Sequence, residues 1–191
     1  MSKLAFRAVI LGAVIAVLGI ASYAIAGGSK HDLKAVTLEG YQENPDVSSV
    51  AEGSFEAKIA KDDSSISYTV SYSGLEGTVT QSHIHFGKPA VNGGISVWLC
   101  YTTQPGITKP PGPGSDDLPV CPQSGEVTGV LNPNDVVGPA AQGIETTAWG
   151  EFLAAIRSGH AYANVHSSKF LGGEIRAQID DDKGKGKDKD D

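Results

Sequence analysis

The chain has 191 residues, enough for one domain with a real core, and its 24 glycines amount to about 13%, nearly double the ~7% average and a bias towards turns and strands. Hydrophobic residues make up 40% and charged residues 19%, a balance that excludes a collagen, a coiled coil and a polytopic membrane protein. With 15 basic and 22 acidic residues the formal charge is −7, which argues against a nucleic-acid partner.

Residues 1–26 read as an export signal rather than as part of the fold. Lys3 and Arg7 precede an uncharged apolar run over 8–26, and the run ends Ala24-Ile25-Ala26-Gly27, a small-x-small pattern of the kind signal peptidase cleaves. The run is also just long enough to remain as an anchor at the outer face of the cytoplasmic membrane, and left uncleaved it would be the one membrane contact. Either way the rest of the chain is expected to be exported, secreted or anchored. Residues 27–33 read as a linker, and the body spans 34–179.

That body reads as all-β. Residues 36–38 open a short strand. Phe55, Ala57 and Ile59 alternate with Glu56 and Lys58, and Asp62-Asp63 makes a turn. Ile66, Tyr68, Val70 and Tyr72 then alternate with Ser67, Thr69 and Ser71, so the two runs form a hairpin with one buried face. Further strands are expected over 79–86, 95–101, 125–131, 160–166 and 172–179, the spacing of an antiparallel sandwich or barrel. Cys100 and Cys121 flank a segment holding Pro105, Pro110, Pro111, Pro113 and Pro119, which can be neither helix nor central strand. In an exported chain the pair reads as a disulfide stapling that excursion, with Cα atoms ~4.4–6.8 Å apart; two free thiols are the alternative. The stretch 132–143 reads as a surface connection. One short helix is expected over 147–157, where Trp149, Phe152, Leu153 and Ile156 fall at i, i+3, i+4 and i+7. Thr146 or Thr147 is its expected cap, and Gly159 stands where a left-handed residue ends a helix. Residues 180–191 contain six Asp, four Lys and two Gly and read as a disordered, solvated tail.

Four histidines fall in the body, apart from His31. His83 and His85 sit at i and i+2 of one strand, so they share a face about 7 Å apart at Cα, a spacing at which two imidazoles can hold one ion. In the second group, His160, Tyr162, Asn164 and His166 share one face of a later strand. An exported site of three or four His suits copper or zinc. The sharp expectation is that His83, His85 and His166 converge on one point, with His160 as fourth ligand or neighbour. Glu174 or Asn164 would then hold a ring tautomer, and affinity would fall below pH ~6.5. The bland alternative is a set of imidazoles hydrogen-bonded at a sheet end. Ser82, Ser167 and Ser168 lie near histidines, but no nucleophile elbow surrounds them.

At these residues the chain resembles the CHRD domain, named for chordin. The resemblance is carried by His83-Ile84-His85-Phe86-Gly87 followed by Asn92-Gly93-Gly94, and by 159–166 followed by Gly173-Glu174-Ile175-Arg176-Ala177-Gln178. Leu38-Glu39-Gly40, Glu43-Asn44-Pro45 and Tyr72-Ser73-Gly74-Leu75 fit the same pattern, so it covers roughly 34–179. It implies an extracellular, immunoglobulin-like β-domain with no enzymatic activity to transfer. The Cys-flanked insert is an elaboration on the family pattern.

Two functional readings of different class follow. The first is a non-enzymatic extracellular domain that binds a protein or surface component, or builds surface structure. The second is a copper- or zinc-binding protein using the His cluster, with a superoxide-handling enzyme as a remote variant that also needs an open coordination position. Metal uptake discriminates them.

Overall fold

The computed structural model describes residues 32–103 and 117–179. The expected leader and anchor over 1–26, most of the linker, the body of the Pro-rich excursion over 104–116 and the tail over 180–191 lie outside the described residues.

Among the described residues eight strands form the domain: β1 Asp32–Glu39, β2 Glu52–Ile59, β3 Ile66–Ser73, β4 Val79–Phe86, β5 Gly94–Tyr101, β6 Gly125–Leu131, β7 Ala161–Ser167 and β8 Ile175–Ile179. They pair antiparallel in one sheet of order β5-β4-β7-β8-β1-β2-β3-β6. The sheet curls into a nearly closed barrel. Its two four-stranded halves meet at β8 and β1 through a single register pair, Glu39 with Arg176. At the opposite seam Tyr68 of β3 donates its hydroxyl to Leu99 O of β5 at 2.6 Å. The expected bridge also lies there: Cys100 and Cys121 are disulfide-bonded, with Cα atoms 5.1 Å apart.

The β2–β3 hairpin follows from its sequence. Ile66, Tyr68, Val70 and Tyr72 are all buried, the first three beside their register partners Ile59, Ala57 and Phe55 on the inward face, while the intervening Ser and Thr residues are more exposed. The Asp62-Asp63 turn then docks onto the helix. Helix α1 (Trp149–Arg157) buries Phe152, Leu153, Ala155 and Ile156. Its Trp149 Nε1 donates to Asp63 O at 2.6 Å, and Arg157 forks onto both oxygens of the Asp63 carboxylate at 2.6 and 3.1 Å.

The ends of α1 differ from each other. The expected threonine cap is not made: Ala148 is the N-cap, and Thr147 takes a left-handed φ of 65° instead. The C-terminal end closes as expected at Gly159, whose φ is 71°. Gly159 N–H bonds Ile156 O and His160 N–H bonds Ala155 O, the paired bonds of a Schellman motif.

The β2–β3 hairpin keeps the one buried face expected of it, but β4, β7 and β8 are covered on both faces. Every residue of β7 is buried, and so are six of the eight in β4. Ile84, Ala163, Val165, Ile175 and Ala177 belong to the apolar core. Their neighbours of opposite parity carry polar and aromatic side chains to the other face, which is also sealed from water. That second buried layer holds the candidate site.

Candidate metal centre

The β4–β7 and β7–β8 registers lay the site out in rows across four strands. Trp98, His83, Asn164 and Arg176 form one row, and Ile95, His85, Tyr162 and Gln178 form the next. His166 follows opposite Gln81. The pleat puts all of these on one face. It brings His83, His85 and His166 together, and their ligand atoms all lie within 4.8 Å of one another. All three rings are buried.

Two backbone carbonyls set the ring orientations. His85 Nδ1 lies 3.0 Å from Gly93 O, and His166 Nδ1 lies 2.9 Å from Leu171 O. A carbonyl only accepts, so both rings carry their proton on Nδ1 and turn the Nε2 lone pair inward. His85 Nε2 is buried with no partner. His83 Nδ1 stands 3.2 Å from His166 Nε2. Without an ion this is a hydrogen bond. It is also close to the separation of about 3.3 Å that two nitrogens ~2.0–2.1 Å from one tetrahedral ion would adopt.

Aromatic walls fix the rings further. Trp98 meets His83 edge to face with centroids 4.1 Å apart, and Tyr162 stacks on His85 at 4.7 Å. Arg176 covers the other side of Tyr162, its guanidinium carbon 3.3 Å from the ring centroid. Burial keeps the imidazoles neutral. His85 and His166 are lowered from 6.5 to about 4, and His83 is held well below 6.5 by burial and then by its two histidine neighbours. The expected threshold near pH 6.5 for proton competition therefore moves down, because desolvation rather than the free imidazole value sets it. Neutral, preoriented imidazoles are the protonation state that metal binding requires.

Two expected roles need correction. His160 is not part of the cluster. It precedes β7, its N–H is committed to the Schellman motif, and its exposed ring bonds Ser158 O at 2.9 Å. Glu174 holds no histidine tautomer. It is fully buried, and its carboxylate accepts from Ser49 Oγ at 2.7 Å, Glu76 N at 2.7 Å and Ser167 Oγ at 2.5 Å, a knot that ties three loops together.

The pattern of the sequence placed Tyr162 on the face shared with His166, but it did not reveal Trp98, Arg176 or Glu43 as parts of the site. Glu43 is 5% exposed, and burial raises its carboxyl from 4.5 to about 7 against the lowering influence of Arg176 and Asn164. A buried Arg and a buried Glu in one small domain are uncommon, and their wide separation in sequence hid their mutual electrostatic influence.

A family model described as the CHRD domain matches residues 34–179. No curated protein and no solved structure gives a significant match to the chain.

Proposed function

The chain belongs to the CHRD domain family, and we propose that it is an exported, non-enzymatic β-domain that holds one copper or zinc ion on His83, His85 and His166. The observation that carries this reading is the convergence of three buried imidazoles, two of them aimed inward by Gly93 O and Leu171 O. A set of structural histidines would spend its second nitrogens on hydrogen bonds, yet His85 Nε2, the nitrogen left free by Gly93 O, has none. An all-imidazole donor set suits copper and zinc over calcium or magnesium, which take oxygen. Burial of all three rings favours retention of an ion over presentation to a substrate.

The test is metal analysis of the purified protein after equilibration with copper or zinc and gel filtration at neutral pH. One equivalent bound by the native protein, and none by a folded His85→Ala variant, is the expected result. No uptake by the native protein would leave the imidazoles structural and the domain a partner-binding or surface-building module.

A further inference from the structure

Three imidazoles leave a tetrahedral ion one donor short. Asn164 occupies the row position directly opposite His83, and its side chain faces both His83 and His85. It is 1% exposed, and its Oδ1 is buried with no hydrogen-bond partner. An amide oxygen in that position normally finds a donor, because leaving it unmade costs ~1–3 kcal/mol.

The other end of the amide accounts for its orientation. The Glu43 carboxyl and the Asn164 amide nitrogen lie side by side over Gly173. A carboxyl oxygen is the natural neighbour of Nδ2, which leaves Oδ1 on the side of the imidazoles. Gly173 makes this approach possible. A Cβ there would strike Glu43 Oε1 and stand 2.9 Å from Asn164 Nδ2.

We propose that Asn164 Oδ1 is the fourth ligand, completing an N3O set with His83, His85 and His166, and that Glu43 positions it by holding its amide nitrogen. This rests on the metal-holding reading above and specifies its coordination. The unpartnered oxygen then has a partner, the ion. The carboxylate further polarises the amide and strengthens its oxygen as a donor.

The experiment uses cobalt(II) as a spectroscopic probe, with zinc(II) competition for affinity, on the full chain. The native protein should bind one cobalt with the visible bands of a four-coordinate site. Asn164→Ala should weaken binding by about 10–100-fold and shift those bands, since water replaces the amide oxygen. The exchange variant Glu43→Gln with Asn164→Asp reverses donor and acceptor while keeping the shape. It should recover affinity to within about threefold of native, a rescue that a merely structural asparagine would not give. Unchanged bands in Asn164→Ala, or an exchange variant as weak as Asn164→Ala, would overturn the assignment while the three-histidine site stands. If Asn164→Ala does not fold, the near-isosteric exchange variant decides alone. Native protein that takes up neither metal overturns the metal-holding reading itself.

Discussion

The rings of His85 and Tyr162 lie parallel, with 0° between their planes and 4.7 Å between their centroids. The two residues are register partners on β4 and β7, so the pleat itself stacks them. Tyr162 also accepts Gly93 N–H at 3.2 Å, while Gly93 O holds His85 Nδ1. One glycine therefore ties the ring and its wall together.

Tyr162→Phe and Tyr162→Ala should separate these effects. The Phe variant keeps the stack and loses one hydrogen bond, so stability should fall by only about 1 kcal/mol and metal affinity little. The Ala variant empties a buried site beneath Arg176 and should cost ~3–5 kcal/mol. Urea unfolding together with metal titration would read both, and equal affinities in the two variants would show that the wall does not orient His85.

The imidazoles also predict a pH profile for the metal-free protein. The folded chain keeps His85 and His166 neutral down to about pH 4, whereas the unfolded chain protonates them near 6.5. The unfolded state binds more protons in that window, so stability should fall as pH drops from 6.5 towards 4. Glu43 acts in the opposite sense: its raised pKa of about 7 lets the folded state keep a proton that the unfolded state loses above 4.5. Its contribution fades as pH rises through 7. Three imidazoles outweigh one carboxyl, and Arg176 beside it remains charged throughout. Urea midpoints at pH 7, 5.5 and 4.5 with chelator present should decline in that order, and a His85→Gln, His166→Gln variant should flatten the decline.

Gly173→Ala should be disruptive far beyond the loss of a hydrogen. Its φ of 125° already strains any other residue, and the added methyl would collide with Glu43 and Asn164. Reduced thermal stability together with lost metal uptake is expected, whereas Gly172→Ala, with nothing within 4 Å of its Cβ position, should be tolerated.

Reduction of Cys100–Cys121 should cost roughly 3 kcal/mol by the loop-entropy argument, for a sequence separation of 21. Cys100 lies on β5 two residues beyond Trp98, so reduction should also loosen the wall against His83. Thermal midpoints and tryptophan fluorescence with and without reductant would check both.

The Asp63–Arg157 pair illustrates a weaker effect. Its side chains are 44% and 32% exposed, so Arg157→Ala should cost no more than about 1 kcal/mol and less in high salt. Denaturation at two ionic strengths is the measurement.

Much of the barrel was legible in the sequence because its signals are local. The alternation of Ile66, Tyr68, Val70 and Tyr72 gave β3 its inward face, and the 3.6-residue spacing of Phe152, Leu153 and Ile156 gave the helix its buried side. His83 and His85 were paired by a two-residue offset, which any strand imposes. His166 joined them only through the register of β4 on β7, which no local pattern encodes. His160 looked equivalent by parity, yet the helix-ending turn at Gly159 claimed its backbone first. The covering layer was illegible for a different reason. Glu43, Gly93 and Leu171 come from irregular segments that bury polar groups through individual hydrogen bonds, without any period.

The way β5 is covered bears on how the protein behaves at high concentration. A terminal strand of a sheet invites pairing by another molecule, the first step towards aggregation. Here that invitation is withdrawn group by group. Ser96 O is taken by Val137 N–H, Leu99 O by the Tyr68 hydroxyl, and Tyr101 N–H and O by Pro119 O and Cys121 N–H. Those partners come from three different parts of the chain, so no single local opening frees the whole edge. Self-association through β5 would require unfastening the seam of the barrel, disulfide included.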